Sequence, residues 1–310
     1  MIKNILLTGA TGFIGSHLLE KLLKESYNVI ILKRSFSDTW RIKHLLIKAK
    51  KYDIDKTSLE TVFKENKIDC VIYLATYYRK KHSKEDVVNM IDTNIKFPSE
   101  LLEQMRLSSV KYFINTGTFF EYAQKSEPIN ETQSRLPYDL YAATKIAFSE
   151  ILKYYSDQQS ITSIDLKLFA PYGPKDNEKL IVFVVKNYLG KKKFSISPGE
   201  QKWNWTFVKD IADAYIKALK YIEKMDNSYE VFNIGSDKIY SIKEIIEVIE
   251  KINGGECLVS YDKPYSKNEI FYVCCDNTKA KNLLGWIPKY NLQDGLKQTY
   301  NYYRGELNEI

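Results

Sequence analysis

The sequence predicts an α/β fold: a doubly wound parallel sheet with helices on both faces and a smaller, discontinuous lobe built mainly from the C-terminal part. Three observations predict it. The apolar run Ile5-Leu6-Leu7-Thr8 ends in the glycine-rich turn Gly9-Ala10-Thr11-Gly12-Phe13-Ile14-Gly15, which opens into an amphipathic stretch. Strand-like runs then alternate with helical patterns through the first half, as in successive βαβ crossovers. After Gly173-Pro174 the alternation stops and turn signals such as Ser197-Pro198-Gly199 appear.

In order, strands are expected over 4–8, 28–33, 70–74, 111–115 and 163–168, and helices over 12–25, 40–50, 58–66, 85–107 and 140–156. Further helices are expected over 179–188, 210–224, 241–252, 278–284 and 292–303. Ser241 with Glu244 reads as a capping box at the start of one of them. Residues 229–234 read as one more strand of the first sheet. The implied division is a dinucleotide domain over 1–172 plus about 205–236, and a substrate lobe over 173–204 and 237–310. Ligand is expected at the carboxyl ends of the strands.

Composition narrows the function classes. The 310 residues carry 46 basic and 39 acidic side chains, a net charge of +7. The lysines are scattered, which argues against nucleic acid and fits either a solvated surface or a site for an anionic ligand. Cys70, Cys257, Cys274 and Cys275 form no CxxC pair, so neither a disulfide framework nor a metal site is expected, and a reducing, cytoplasmic setting is. Residues 5–7 are too short for a signal peptide, and no run approaches the length needed to cross a membrane.

The glycine turn points to a dinucleotide. Gly9 permits a tight turn, and Gly12 lets main-chain N–H groups near Thr11, Phe13 and Ile14 approach a pyrophosphate at a helix N-terminus. Gly15 lets the helix pack close to the strand. After the second strand stands Lys33-Arg34-Ser35, where a preference for NAD usually places an acid. Cations there attract a 2′-phosphate, so NADP(H) is expected over NAD(H), with Arg41 a second candidate.

The second constellation is Tyr141-Ala142-Ala143-Thr144-Lys145. Residues four apart share a helix face, so Lys145 can lower the Tyr141 pKa and hold a nicotinamide ribose while Tyr141 exchanges a proton with a carbonyl. Thr116, at the end of the preceding strand, can hydrogen-bond the same oxygen. Three other tyrosines have a lysine four residues on (Tyr52, Tyr77 and Tyr188), but only Tyr141 opens a long helix after a strand of the alternating half. Tyr77, Tyr78, Arg79 and Thr118 are candidates for the pocket wall.

These residues, with Leu74-Ala75, Asn94, Asn115–Thr118, Tyr172-Gly173-Pro174, Phe207–Asp210, Asn233-Ile234-Gly235 and Leu284–Pro288, make the chain resemble the extended short-chain dehydrogenase/reductases that act on nucleotide sugars. The resemblance covers nearly the whole length. It implies a Rossmann fold, Thr116, Tyr141 and Lys145 as the catalytic set, and adenine contacts at Asp53 and Ile54. It also implies cofactor contacts at Leu74, Ala75 and Asn94, and a homodimer through the helices carrying Tyr141 and Asn94. Within the family, the 115–120 segment is most similar to CDP-abequose and CDP-paratose synthases, NADPH-dependent reductases of a CDP-linked 4-keto-3,6-dideoxyhexose.

The chain departs from the family pattern where a diphosphate is held. Trp203-Asn204-Trp205 stands where an Arg-Asp-Phe is common, and Tyr265-Ser266-Lys267 lacks a second arginine. Ala170 replaces an asparagine. Lysine meets a diphosphate only as a point charge. Either Lys267 or the 191–193 lysine run compensates, or Trp203 and Trp205 stack on the substrate or pack in the lobe. No acid follows Thr116 at 117–118, which argues against dehydration and leaves a reductase, an NAD-dependent 4-epimerase, and a non-catalytic NADP(H)-binding relative.

Overall fold

The protein is described by a computed structural model covering residues 1–124 and 127–308. Its centre is a seven-stranded parallel sheet. In chain order its first six strands are β1 (Asn4–Thr8), β2 (Asn28–Lys33), β3 (Lys50–Asp53), β4 (Cys70–Tyr73), β5 (Tyr112–Thr118) and β6 (Thr162–Leu168). The seventh is Tyr229–Ile234, and the spatial order runs seventh, β6, β5, β4, β1, β2, β3. The order reverses between β1 and β4, so the glycine turn after β1 opens at the crevice where ligands of such sheets bind.

The expected α/β architecture is present, with local differences. The helix expected over 40–50 is a 3-10 segment, Trp40–Lys48, followed by the unexpected β3. Strand β3 pairs on one side only, with β2, and two of its four residues are exposed lysines. Such a polar edge strand carries no apolar signature. The helix expected over 85–107 is two helices, Lys84–Ile91 and Phe97–Leu107, joined by a π-helical turn at Asp92–Lys96. Strand β5 extends three residues beyond the expected end, to Thr118.

Alternation along the strands builds two cores. Ile5, Leu7, Ile31, Ile72 and Ile114 face the helices Phe13–Lys24 and Val208–Ile222. Leu6, Leu32, Val71, Tyr73 and Phe113 face Phe97–Leu107 and Leu140–Gln158. Each fully buried aliphatic side chain contributes about 1.5–3 kcal/mol. A third core joins Val184, Val185, Ile245, Ile249 and Leu296 of three helices, Leu180–Leu189, Ile242–Asn253 and Leu292–Asn308. The expected capping box is formed: Ser241 Oγ accepts from Glu244 N–H at 3.1 Å, and Glu244 Oε2 accepts from Ser241 N–H at 2.6 Å.

Two family-like motifs latch the lobe to the sheet. The Trp286 indole N–H donates to the Asp210 carbonyl at 2.9 Å. The Asp210 carboxylate accepts from the N–H groups of Lys289 and Tyr290. Among the described residues no helix is long and apolar enough to cross a membrane.

Candidate active site

A cleft of about 1400 Å³ runs from the glycine turn, over the carboxyl ends of the strands, to the third core. At one end its wall is main chain. Gly9 has φ +69°, and a Cβ there would lie 2.6 Å from the Leu74 carbonyl carbon. A Cβ on Gly15 would lie 2.1 Å from the Gly9 oxygen. Thr8 Oγ1 accepts from Leu74 and Ala75 N–H, both at 3.1 Å, which fixes the two strand ends side by side. Gly12 caps the following helix without a side-chain bond, so the first-turn N–H groups face the cleft. Thr11, Phe13, Ile14, Leu74 and Ala75 line this end, and the arrangement fits a dinucleotide pyrophosphate.

The adenosine corner differs from the expectation. Lys33 lines the cleft but its Nζ is 2.5 Å from Asp53 Oδ1, its register partner on β3. Asp53 is thereby a partner of Lys33 and is not among the lining residues, while Ile54 and Asp55 are. Ser35, expected on the cofactor, binds Asp55 through its N–H at 2.7 Å and its hydroxyl at 2.5 Å, which holds that carboxyl below its ordinary pKa. Arg34 stays exposed in the lining, 4.9 Å over the Phe36 ring. Arg41 is committed elsewhere: it donates to the Lys175 carbonyl and to Asn177 Oδ1, both at 2.8 Å.

Asn94, expected on the cofactor, is also corrected. It is buried in the π turn, where its Oδ1 accepts from Tyr77 N–H and the Thr76 hydroxyl. Its Nδ2 donates to the Tyr77 carbonyl and to Thr144 Oγ1. The extra residue of the π turn aims this amide inward, tying the loop after β4 to the helix that carries Tyr141.

Tyr141 and Lys145 meet at the middle of the cleft. Asp139 caps their helix by accepting from Ala142 N–H at 2.8 Å. Lys145 is buried, donates to the Thr116 carbonyl at 3.0 Å and lies 5.8 Å from the Tyr141 ring centroid. Burial pushes the Tyr141 phenol well above its ordinary value, and Glu121 pushes the same way, against a lowering bond to Thr76; the expected lowering by Lys145 is not among the causes. Burial draws the Lys145 ammonium down to about 8, opposed by Glu121 and Asp165. Tyr78 packs edge-on against Tyr141 at 4.9 Å.

The two threonines of β5 differ in one proton. Thr116 Oγ1 donates to the Tyr73 carbonyl at 2.8 Å and accepts from the Tyr215 hydroxyl at 2.6 Å. A hydroxyl has one proton, so Thr116 has none left for a ligand. Thr118 lines the cleft too. Its Oγ1 accepts from Phe120 N–H at 3.4 Å, and its own proton has no protein acceptor among the described residues.

The far end of the cleft is an aromatic wall. Tyr138 stacks on Phe120 at 5.3 Å, and Phe120 meets Phe119 at 4.2 Å. Phe119 meets Trp203 edge-on at 5.6 Å, and Trp203 stacks on Trp205 at 5.6 Å. The indole N–H groups donate to the carbonyls of Ile270 and Tyr240, so the rings are fixed while they line the cleft. Lys267 is exposed and outside the lining, as are Lys191 and Lys192. The lysines that line this half are Lys179 and Lys263. Sequence reasoning passed over Phe119, Phe120 and Tyr138 as wall residues, although their clustering beside Thr118 was the available signal.

A profile of the NAD dependent epimerase/dehydratase family matches residues 5–235. The chain is 28% identical to a CDP-abequose synthase of Salmonella muenchen, over 96% of each chain. It is 32% identical to a UDP-glucuronate 4-epimerase of Thermodesulfobacterium geofontis, over 98% of this chain and 97% of that one. The crystal structure of a Bacillus cereus UDP-glucuronic acid 4-epimerase, in complex with UDP-glucuronic acid and NAD, superposes with a TM-score of 0.89 at 29% identity. It covers 98% of this chain and 99% of that one. Sheet order, glycine turn and the helix of Tyr141 and Lys145 agree with this match, and the chain belongs to the NAD dependent epimerase/dehydratase family.

Proposed function

We propose that the protein is an NADPH-dependent 4-ketoreductase of a nucleotide-linked deoxyhexose, most simply a CDP-4-keto-3,6-dideoxyhexose. The observation that carries this reading is the wall of Phe119, Phe120, Tyr138 and Trp203 beside Thr118 and Tyr141. The wall carries no carboxylate to expel water, since Glu121 beside Thr118 is buried against Lys167 and does not line the cleft, and its apolar faces suit a sugar that has lost hydroxyls. The similarity to CDP-abequose synthase supports the same reading.

The chain's residues divide the work. The helix N-terminus after Gly12 takes the cofactor pyrophosphate, and Arg34 takes a 2′-phosphate. Lys145 holds the nicotinamide ribose. Thr118, rather than the committed Thr116, donates a hydrogen bond to the C4 oxygen. Tyr141 gives that oxygen its proton. When bound, a reduced nicotinamide supplies the hydride that completes the alcohol. In this reading residues 1–172 with about 205–236 hold the cofactor, and 173–204 with 237–310 hold the substrate.

A second reading is an NAD-dependent 4-epimerase. The Lys33–Asp53 pair favours it by removing one cation from the adenosine corner, and the similarity to UDP-glucuronate 4-epimerases supports it. The test is NADPH oxidation, with NADH in parallel, against CDP-, dTDP-, GDP- and UDP-linked 4-keto-6-deoxy sugars. NADPH consumption with one nucleotide supports the reductase. Interconversion of intact nucleotide sugars by protein carrying unreleasable NAD replaces it with the epimerase.

A further inference from the structure

Beneath Thr118 and Lys145 lies a cluster of charges that the proposed reaction does not use. Lys167, on β6, reaches the carboxylates of Glu121 and of Asp165, the latter at 2.7 Å. All three side chains are almost completely buried. Asp165 also accepts from Asn115 Nδ2 at 3.1 Å and from the Tyr229 hydroxyl at 3.4 Å. The second Glu121 oxygen accepts from Thr118 N–H at 2.8 Å. Gly117 makes room: a Cβ there would lie 2.5 Å from Lys167 Cδ and 2.8 Å from Glu121 Oε1.

Counted with Lys145, which is buried at the cleft floor, the cluster holds two ammonium and two carboxylate groups, all buried. Such a set tolerates burial only while its charges balance. Lys145 Nζ donates to the Thr116 carbonyl, next to Gly117, whose open side meets Lys167 and Glu121; around Lys145 stand Tyr141 on its own helix, Glu121 after β5, and Asp165 and Lys167 on β6. Behind them stand Tyr215 on the helix Val208–Ile222, Tyr229 on the seventh strand, and Arg135.

We propose that Glu121 is a positioning residue with two tasks: through the Thr118 N–H it fixes the hydroxyl that meets the substrate, and with Asp165 it supplies the countercharge that keeps Lys145 a cation under the cofactor ribose. Lys167 bridges the two carboxylates so that they share one buried space. The inference rests on the reading of Lys145 as the ribose-holding residue.

NADPH affinity, followed by fluorescence titration across pH on the full chain with NADH in parallel, tests it without requiring turnover. Affinity of the unmodified protein is expected to fall as pH rises through about 8, where Lys145 loses its proton. Glu121→Gln leaves an excess buried cation, so the fall moves down by about one pH unit, an affinity loss of about fivefold at pH 8 that approaches about tenfold above it. Glu121→Gln with Lys167→Met removes one charge of each sign and returns the fall to its original position. Should Glu121→Gln not fold, Asp165→Asn removes the other facing carboxylate and carries the same downward shift.

Lys145→Met abolishes the fall altogether. A folded Lys145→Met protein that keeps it overturns the reading of Lys145 itself. If Lys145→Met removes the fall while folded Glu121→Gln, or Asp165→Asn in its place, leaves it unmoved, then the countercharge proposal alone is wrong.

Discussion

At the glycine-turn end of the cleft the close contacts are main chain, and at the far end the wall is built of aromatic side chains. The turn leaves no room for a Cβ at Gly9 or Gly15, and the N–H groups of the following first turn open on the cleft. The wall of Tyr138, Phe120, Phe119, Trp203 and Trp205 is the reverse: its backbone is set by distant elements, and its chemistry is entirely in the rings. Main-chain recognition suits a ligand used without change. Side-chain recognition lets the substrate differ while the fold stays the same. Relatives about equally similar to this chain bear the names of a CDP-abequose synthase and of a UDP-glucuronate 4-epimerase.

Substitutions can sharpen or break that contrast. The largest effect is expected where the two ends meet. Tyr141→Phe removes the proposed proton donor and is expected to lower kcat by about 10³-fold, with NADPH affinity unchanged within a factor of about three. Normal turnover would falsify the catalytic assignment. Next come the two threonines. Thr118→Ala lowers kcat by about 10²-fold with little change in melting temperature. Thr116→Ala strips a partner from Tyr215, costs about 1–3 kcal/mol of stability in denaturant titrations, and lowers kcat less than Thr118→Ala does. Equal kcat losses would mean that the proton argument fails.

At the substrate end, Trp203→Ala is expected to raise KM for the nucleotide sugar about tenfold while cofactor affinity holds. A parallel loss of NADPH affinity would show that the two ends are not independent. The smallest effect belongs to the exposed Arg34. Arg34→Ala weakens NADPH about fivefold and leaves NADH unchanged, because one solvated cation meets the 2′-phosphate. Equal affinity for both cofactors in every variant would favour the epimerase reading.

What the sequence made legible follows the same division. A glycine turn is local: strand, turn and helix lie within a dozen residues, and steric need alone dictates the residue types. Tyr141 and Lys145 are equally local. The adenosine corner was not, because Lys33 meets Asp53 only when an edge strand too polar to be read brings them together. Spacing places Thr116 and Thr118 at one strand end, but which hydroxyl keeps its proton depends on Tyr215, about a hundred residues away in the chain. Asn94 looked like a cofactor contact until the π turn showed its amide fully engaged. The Glu121–Lys167 pair had one overlooked signal. Strand β6 carries Asp165 and Lys167 between Ile164, Leu166 and Leu168, and in a strand paired on both sides and covered on both faces such charges call for buried partners.

Gly117 carries a consequence for how this sequence can change. A methyl group at that position collides with Lys167 and Glu121 together. Replacing Lys167 alone leaves two carboxylates to one ammonium, and replacing Glu121 alone leaves two ammonium groups to one carboxylate. Each single step away from the present trio is therefore harmful, although a chain lacking all three features could be sound. Substitutions at 117, 121 and 167 are strongly non-additive, and the order in which they arise decides which lineages survive them. The trio is thus a ratchet in sequence space, easier to keep than to leave.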